Sequence, residues 1–305
     1  MESEFIRWLR GRLPPHPQLL LGPGDDAAIL QLAAHAACVV TTDTITDGVD
    51  FILGRDDPRR IGRKALAVNL SDLAAMAARP IAALVSLVLP RTNARELAVE
   101  IFAGLLPLAE EFQIAIAGGD TNTWPGSLVI NVTAIGETTA RGALRRSGAK
   151  PGDAILVTGD FGGSILGKQF DFVPRITAAL LLNERYEIHA ATDVSDGLSL
   201  DLSHICTESQ CGAEIELSRI PVSVAAHEFA RQLNDGRSPL DHALADGEDF
   251  ELVLAVPPDE ANRLLADQPL PVRLSRIGTF SAEPGLWQIA ADGSRTPLTP
   301  RGYEH

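Results

Sequence analysis

Apolar residues recur along the chain with two different periods, and these predict alternating helices and strands. Within residues 59–78, Leu66, Leu70, Leu73 and Ala77 recur every three or four positions, as on the buried face of a helix. Residues 81–89 are almost continuously apolar and predict a buried strand, because a strand covered on both faces needs no polar alternation. The alternation of the two element types predicts an α/β or α+β fold.

The same reading predicts the remaining elements of both halves. Strands are expected at residues 38–42, 114–117 and 128–135, and later at 154–158, 213–217, 250–256 and 272–277. Helices are expected around residues 5–13, at 94–112 with an interruption near Pro107, near 175–182 and at 199–209.

A polar, turn-rich segment at residues 145–153 divides these elements into two groups. Together with a length of 305 residues, it predicts two domains with the boundary at this segment or shortly before it. We assign residues 1–140 to an N-terminal domain and residues 141–305 to a C-terminal domain.

Composition narrows the possible partners and location. Forty acidic and 26 basic residues give a formal charge of -14, which would repel nucleic acid and anionic membranes. The N-terminus lacks a basic, then apolar, export signal, and the apolar run at 81–90 is about half a membrane span. Three cysteines without a C-x-x-C pair suit a reducing compartment. We therefore expect a cytoplasmic protein that binds neither nucleic acid nor membrane.

Aspartates, most of them beside glycine, gather in six short segments. Carboxylates at this density repel one another unless cations lie between them, and Mg²⁺ with phosphate is the commonest biological reason to collect them. Asp72 is the most informative, because it lies inside the helical pattern between the apolar residues Leu70 and Leu73, where a carboxylate needs a strong partner. The pattern predicts several Mg²⁺ ions that hold phosphate groups.

Two familiar phosphate motifs are nearly matched, and both fail on physical grounds. Gly22–Ala27 fits the dinucleotide fingerprint but would direct two carboxylates at a pyrophosphate. Gly162–Lys168 fits a phosphate-binding loop, yet Gln169 replaces the hydroxyl that would hold Mg²⁺. The second loop could still pack against a nucleotide or substrate through its glycine amides.

Seven segments in a fixed order resemble those of the thiamine-monophosphate kinase family, over nearly the whole chain. The most specific are the run Lys64–Met76 and the Gly-Glu-Asp-aromatic-Glu-Leu signature of Gly247–Leu252. The others are Gly24–Ala28, Thr41–Thr44, Gly118–Thr121, Ser147–Asp153 and Ser195–Leu198.

The resemblance implies a fold and an assembly. The family groups with aminoimidazole-ribonucleotide synthetase, so it implies that two-domain α/β (α+β) fold. An N-terminal mixed sheet would bind ATP and Mg²⁺ and form a homodimer, and a C-terminal α/β domain would complete the active-site cleft.

The resemblance also implies site residues. Nucleotide contacts are implied at Phe102, Gly119, Asp120, Arg146 and Ser195, and a substrate contact at Glu248. The Mg²⁺ ligands implied are Asp26, Thr41, Thr42, Asp43, Asp72, Asp120, Asp193 and Asp196.

The implied reaction transfers the γ-phosphoryl group of ATP to thiamine monophosphate and produces thiamine diphosphate and ADP. A phosphate monoester with a second pKa of about 6 is already ionised at neutral pH, so no catalytic base is needed. The main task is to align two polyanions, and Asp72, Asp120 and Arg146 are the residues we expect to do so with Mg²⁺.

Three departures from the family pattern concern the acceptor. Asp50 stands where the family usually has a histidine near the substrate, and Pro300 replaces an expected aromatic residue, which leaves Tyr303 as its substitute. The segment between Gly167 and Asp193 is also shorter than in many relatives. Two alternatives therefore stay open: a related ATP-dependent enzyme with another small-molecule acceptor, and a non-catalytic protein that binds metal or nucleotide.

Overall fold

The computed structural model describes residues 8–9, 11–21, 29–234, 236–290 and 292–303. The chain divides into two compact units. The first comprises Met1–Leu73 with Ala78–Gly142, and the second comprises Ala74–Ala77 with Ala143–His305.

The described residues form thirteen strands and eight α-helices. The strands are β1 (Leu19–Leu21), β2 (Ile29–Leu30), β3 (Cys38–Thr46), β4 (Ala78–Pro90), β5 (Ala115–Trp124), β6 (Val129–Thr138), β7 (Ala154–Thr158), β8 (Ala190–Asp193), β9 (Gly212–Glu216), β10 (Leu252–Val256), β11 (Leu274–Ser281), β12 (Gly285–Ile289) and β13 (Arg295–Pro297). The helices are α1 (Pro58–Ala75), α2 (Ala94–Glu111), α3 (Lys168–Asp171), α4 (Ile176–Arg185), α5 (Leu198–Ser209), α6 (Val224–Leu233), α7 (Pro239–Ala245) and α8 (Pro258–Asp267). Across these described segments, no helix combines the length and apolarity needed to span a bilayer.

A four-stranded mixed sheet organises the first unit, in the order β3-β6-β4-β5. The β4–β5 pair is parallel, whereas β3–β6 and β6–β4 are antiparallel. One face is buried beneath the helices and includes Val85, Leu87 and Leu89. The residues that alternate with these belong to the other, more accessible face. The two faces of the sheet therefore differ, and the helices cover only the face that includes Val85, Leu87 and Leu89.

Helices α1 and α2 pack with their backbones in close approach. A Cβ atom on Gly62 would lie 2.0 Å from the carbonyl oxygen of Ile101, and one on Gly104 would lie 1.7 Å from that of Arg59. Only glycine fits at these two positions, because any side chain would collide with the backbone of the facing helix. This approach fixes the height of α1 above the sheet, and α1 carries Asp72.

Helix α2 corrects one sequence prediction. An interruption was expected near Pro107, but the helix runs without a break from Ala94 to Glu111. Proline in a helix interior costs about 3 kcal/mol through the lost hydrogen bond and steric conflict. Here Pro107 is exposed, whereas Ile101, Leu105 and Leu108 are buried. Burial of this apolar face outweighs the cost.

A seven-stranded sheet organises the second unit, in the order β13-β12-β9-β11-β7-β10-β8. All its pairs are antiparallel except β9–β12. Its core joins residues of β7, β10 and β11, such as Val157, Val253 and Ile277, to Leu202 and Ile205 of α5. Strand β8 is an outer strand, so Asp193 lies at an edge of this sheet.

The predicted fold class is confirmed: both units combine a mixed sheet with helices. The helix expected at 59–78 ends at Ala75, because Ala77 adopts a left-handed φ of 48° and begins the turn into β4. Most of the helix expected around residues 5–13 lies outside the described residues. Helices α6, α7 and α8 were not predicted from the sequence.

Candidate functional site

Strand β3 carries two oxygen-bearing side chains toward the helix-covered face of its sheet. It pairs with β6 over its full length, from Cys38 opposite Glu137 to Thr46 opposite Val129. Val39 and Ile45 are buried, and Thr41 and Asp43 lie between them on the same face because strand side chains alternate. The predicted ligands Thr41 and Asp43 therefore share one face.

Asp72 meets this strand from α1. The Thr41 hydroxyl donates a short hydrogen bond to the Asp72 carboxylate at Oδ2. Leu70 and Leu73 are fully buried, so the helix has a fixed orientation that turns the half-buried Asp72 toward β3. The structure thus brings together two predicted metal ligands that are 31 residues apart in sequence.

Thr42 points to the opposite face of the same strand. Its hydroxyl lies 3.0 Å from the Thr133 hydroxyl and donates to the Val132 carbonyl oxygen at 3.2 Å. It also accepts a hydrogen bond from the Asn131 amide at 3.2 Å. The hydroxyls of Thr41 and Thr42 are therefore separated by the sheet.

Asp120 is likewise apart from the Thr41–Asp72 pair. It lies on β5, which is separated from β3 by β4 and β6, or roughly 14 Å at the usual strand spacing. Its register partner is Ser86, whose own partner on β6 is Asn131, so Asp120 belongs to the same face as Thr42. The exposed Asp120 carboxylate accepts a hydrogen bond from the Thr121 amide at 2.8 Å.

Gly119 and Phe102, two predicted nucleotide contacts of the first unit, differ in exposure. Gly119 is exposed, and its strand lies so close to β4 that a Cβ atom would lie 1.8 Å from the Val85 carbonyl oxygen. Phe102, in contrast, is only 2% exposed and packs on the buried side of α2. Its assignment as a nucleotide contact stays a prediction.

Asp50 occupies a tight turn after β3. Its carboxylate accepts a hydrogen bond from the Thr46 amide at 2.6 Å, and its carbonyl oxygen accepts one from the Lys64 ammonium at 2.9 Å. Lys64 is fully buried in α1, where a charged group needs such oxygen partners. The contact between Lys64 and Asp50 was not predicted from the sequence, although a lysine among the apolar positions of α1 indicates a buried ammonium group with an oxygen partner.

The side-chain oxygen atoms on β3 and α1 are suitable ligands for Mg²⁺. This ion takes oxygen ligands, usually one or two carboxylates together with water and substrate phosphate. Asp43, Asp72 and the Thr41 hydroxyl are a set of this kind. Over the described ranges, no group of three or more histidine, cysteine or acidic residues is arranged to hold a metal. The set would therefore need phosphate oxygens to complete the coordination. Asp26 lies outside the described residues.

In the second unit, the loop after β8 carries two of the predicted residues, Ser195 and Asp196, and two other segments bind its backbone. The carbonyl oxygen of Ser195 accepts a hydrogen bond from the Glu248 amide at 2.7 Å, and that of Asp196 accepts one from the Tyr303 amide at 2.9 Å. The amides of Asp196 and Gly197 donate to the buried Asp201 carboxylate at 3.0 and 3.1 Å. The predicted metal ligand Asp196 thus adjoins both predicted substrate contacts, Glu248 and Tyr303.

Arg146 lies beside β8 in the same unit. Its Nε donates to the Thr192 hydroxyl at 3.2 Å, and Thr192 directly precedes the buried Asp193. The Arg146 side chain is otherwise exposed. This arrangement holds a guanidinium group, which suits bidentate phosphate contacts, against the edge strand that ends in the predicted metal ligand Asp193.

The segment after Gly247 carries one half-buried and two buried acidic residues. Glu248 and Phe250 have left-handed φ angles of 55° and 52°, which are uncommon for residues with side chains. Asp249 and Glu251 are each 1% exposed, whereas Glu248 is half-buried. Unusual backbone of this kind persists only where surrounding contacts enforce it, and such residues cluster at functional sites.

Asp249 binds the glycine-rich loop that resembles a phosphate-binding motif. Its carboxylate accepts the Gly162 amide at 2.8 and 3.0 Å and the Ser164 hydroxyl at 2.6 Å. Burial raises the pKa of Asp249 to about 7, although Lys168 and these hydrogen bonds act in the opposite direction. The Lys168 ammonium donates to the Asp160 carbonyl oxygen and to Glu251, at 3.0 and 3.3 Å. The Gly162 amide and Lys168 of this loop are thus engaged by protein groups.

Comparisons with known proteins agree with this architecture. The model of the AIR synthase related protein N-terminal domain matches residues 24–138, and that of the C-terminal domain matches residues 150–286. The thiamine-monophosphate kinase of Rhodopirellula baltica is 44% identical over 312 residues, covering 100% of this chain and 97% of the relative.

Two solved structures are also similar. The thiamine-monophosphate kinase of Stenotrophomonas maltophilia K279a has a TM-score of 0.80 and 35% identity, covering 95% of each chain. AaThiL in complex with AMPPCP and TMP has a TM-score of 0.78 and 25% identity, covering 100% of this chain and 95% of that one. The similarity extends over both units, and the chain belongs to the thiamine-monophosphate kinase family.

Proposed function

We propose that this protein transfers the γ-phosphoryl group of ATP to the phosphate of thiamine monophosphate, by direct in-line transfer assisted by Mg²⁺. The observation that carries the proposal is the match over the whole chain to AaThiL, a protein solved with AMPPCP and TMP. The Thr41–Asp72 contact adds local support, because it joins a strand and a helix through oxygen groups of the kind that Mg²⁺ binds.

The metal ligands proposed for the first unit are centred on the Thr41–Asp72 pair. Asp43 shares the strand face of Thr41, and Mg²⁺ bound there would offset the negative charge of the two substrates' phosphates. Asp193 and Asp196 are the proposed ligands of the second unit. Asp26, Thr42 and Asp120 are retained as proposed ligands on the resemblance alone.

The proposed chemistry relies on alignment and charge rather than on a base. The acceptor phosphate is ionised at neutral pH, since its second pKa is about 6. Arg146 would orient a phosphate group through its guanidinium, while Gly119 and Ser195 would contact the nucleotide. Asp72 and Asp120 would align the reacting groups through separate Mg²⁺ ions. Catalysis by positioning and electrostatics is typical of phosphoryl transfer.

The proposed acceptor contacts are Glu248, Tyr303 and Asp50. Glu248 and Tyr303 are attached to adjacent residues of one loop, which supports a shared role. The environment of Asp50 favours a second candidate function for the protein: an ATP-dependent enzyme of the same superfamily that uses another acceptor. The Asp50 carboxylate is engaged by the Thr46 amide, which leaves it less able to replace a histidine that approaches the substrate.

We also propose a cytoplasmic homodimer that forms through the uncovered face of the four-stranded sheet. Val40 on this face is 60% exposed and Ile135 is only half-buried, whereas Leu84 packs in a cluster with Leu19, Leu30 and Leu32. Apolar residues on an uncovered sheet face favour association. Light scattering at micromolar concentration should give twice the chain mass, and Val40→Asp should shift the mass toward the monomer.

Turnover is the decisive test of the kinase proposal. The protein is incubated with Mg²⁺, ATP and thiamine monophosphate, and ADP and thiamine diphosphate are measured by chromatography. We expect equal amounts of both products and little reaction with free thiamine. Release of ADP with a different phosphorylated acceptor only would favour the second candidate function. Binding of both ligands without product, under conditions where a verified relative is active, would reject the kinase proposal.

A further inference from the structure

Residues 301–303 lie over the first turn of α5 and are fixed there by hydrogen bonds. The Arg301 amide donates to the Ser199 hydroxyl at 3.0 Å, and this hydroxyl lies 2.8 Å from the Arg301 carbonyl oxygen. The Tyr303 amide donates to the Asp196 carbonyl oxygen at 2.9 Å. The Arg301 guanidinium also donates to Asp241 in α7 at 2.9 Å. Residues 301–303 belong to no helix or strand, so their position depends on contacts of this kind.

Gly302 allows this segment to approach α5 closely. A Cβ atom on Gly302 would lie 2.5 Å from the Asp196 carbonyl oxygen and 2.8 Å from the Cβ atom of Leu200. Neither atom is the end of a flexible side chain, so any larger residue would push the segment away from the helix. The absence of a side chain at this position thus lets the Ser199 hydroxyl reach the Arg301 backbone.

The Ser199 hydroxyl also contacts a third segment of the unit. It lies 3.0 Å from the carbonyl oxygen of Leu244, in the last turn of α7, where carbonyl groups lack partners within the helix. A hydroxyl has one hydrogen to donate and two lone pairs that accept. Ser199 therefore accepts from the Arg301 amide and directs its hydrogen to the Leu244 and Arg301 carbonyl oxygens. The residue is 1% exposed, so bulk water does not compete for these contacts.

The two segments that Ser199 connects both lead to proposed acceptor contacts. Glu248 follows Leu244 by four residues, and Tyr303 follows Arg301 by two. Both contacts are bonded through their backbone amides to the loop after β8. The side chain of Tyr303 is 49% exposed and thus accessible to a ligand. One buried hydroxyl, which is itself remote from solvent, therefore joins the two parts of the proposed acceptor site.

We propose that Ser199 is a positioning residue of the acceptor site, which holds the segments of Glu248 and Tyr303 in the arrangement that binds the phosphorylated acceptor. This inference rests on the proposed function. A site whose segments are detached for part of the time binds its ligand more weakly, in proportion to the attached fraction. Loss of the Ser199 hydroxyl should therefore weaken acceptor binding more than nucleotide binding, because the proposed nucleotide contacts Gly119 and Arg146 lie on other segments.

The first test is trypsin cleavage of the full chain at the Arg301–Gly302 bond, measured by mass spectrometry. Cleavage requires this segment to leave α5, so the cleavage rate reports the detached fraction. Ser199→Ala should be cleaved at least about fivefold faster than the wild-type protein, as expected for lost hydrogen bonds. Ser203→Ala is the matched control, because it is the same substitution one turn later in α5, where the hydroxyl donates to the Leu200 carbonyl oxygen within the helix.

The second test is calorimetric titration with thiamine monophosphate and, separately, with AMPPCP, both in Mg²⁺. Ser199→Ala should weaken binding of thiamine monophosphate at least about fivefold and binding of AMPPCP less than about twofold. Ser203→Ala should change neither affinity. Gly302→Ala provides the same comparison should Ser199→Ala fail to fold, because Gly302 is exposed and its substitution leaves the core unchanged.

The outcomes separate this inference from the proposed function. Wild-type cleavage of Ser199→Ala, or unchanged acceptor affinity in both Ser199→Ala and Gly302→Ala, would overturn the inference while turnover by the wild-type protein upholds the kinase. Equal weakening of both ligands would also overturn it, because that result indicates a general structural role for Ser199. A wild-type protein that neither binds nor phosphorylates thiamine monophosphate would reject the proposed function, and the inference with it.

Discussion

Arg175 donates two parallel hydrogen bonds to the carboxylate of Glu251. Nη2 lies 2.6 Å from Oε1, and Nε lies 2.8 Å from Oε2. The same carboxylate accepts the Thr158 hydroxyl at 2.7 Å and the Lys168 ammonium at 3.3 Å. Glu251 is nearly inaccessible to solvent, so these four contacts replace its hydration. They link β7, the glycine-rich loop and α4 to the segment that carries Glu248.

Arg175→Met should destabilise the second unit strongly. The substitution removes the bidentate partner and leaves a buried carboxylate supported mainly by Lys168. Breaking a buried pair on one side costs about 3–5 kcal/mol. Urea unfolding monitored by circular dichroism measures the loss. The matched control is Arg219→Met, which breaks the more exposed pair with Glu216 at 2.6 Å and should cost less than about 1 kcal/mol. Equal losses in both variants would contradict the importance of Glu251.

Asp249 should make the protein less stable as pH rises. Burial raises its pKa to about 7 in the folded protein, whereas the unfolded value is about 3.9. Between these values the folded state holds a proton that the unfolded state has released. Its contribution to stability is therefore complete below pH ~4 and declines as pH rises toward ~7.

Asp249→Asn removes this titration while keeping the shape of the side chain. Between pH 5 and pH 8, the unfolding free energy of the wild-type protein should fall by about 1–3 kcal/mol more than that of the variant. Urea unfolding at both pH values provides the comparison, and other titrating groups cancel in the difference. A constant gap between the two proteins would show that Asp249 does not change protonation on unfolding.

Asp72→Asn should reduce turnover of thiamine monophosphate by at least about 100-fold while the protein stays folded, since Asn keeps the volume but removes the charge proposed to hold Mg²⁺. Thr41→Val removes only the hydroxyl that donates to Asp72 and should lower the turnover rate about tenfold.

Steady-state rates of these variants are measured over a range of Mg²⁺ concentrations. Asp259→Asn, at an exposed position in α8, is the control and should be neutral. Near-normal rates for Asp72→Asn at limiting Mg²⁺ would remove Asp72 from the metal site.

Gly119→Ala should disrupt the β4–β5 pairing. The added Cβ atom would lie 1.8 Å from the Val85 carbonyl oxygen and 2.6 Å from its carbon, so the strands must separate. We expect a loss of about 3 kcal/mol or more in unfolding free energy. Gly118→Ala is a matched control one residue away, because its Cβ atom would meet only the Leu84 side chain at 3.4 Å. A similar effect of the two substitutions would indicate a general intolerance of the strand.

The helical and strand periods predicted α1, β4 and β7 well, because their apolar residues are fully buried and leave a clear pattern. The position of Asp72 inside α1 could be predicted for the same reason. The contact with Thr41 could not, since it depends on how the helix lies over a sheet whose strand order is not encoded locally. The left-handed conformations of Glu248 and Phe250 could not be predicted either, because they arise from surrounding contacts rather than from local preference.

The motif of Gly247–Leu252 predicted a substrate contact at Glu248, which stays a prediction. The connection of Asp249 to Gly162 and Ser164 was not foreseen, because those residues are more than 80 positions away in sequence. The same distance in sequence hid the contacts of the glycine-rich loop with Asp249 and Glu251.

Glu248 is less buried than Asp249 and Glu251, so the positions differ in how freely they can be substituted. The two inward acids stabilise the fold, so changes there would be removed by selection whatever the substrate. Glu248 is only half-buried beside them. Where Glu248 contacts the acceptor as we propose, a lineage could alter its acceptor at this position while the two buried acids keep the surrounding motif recognisable.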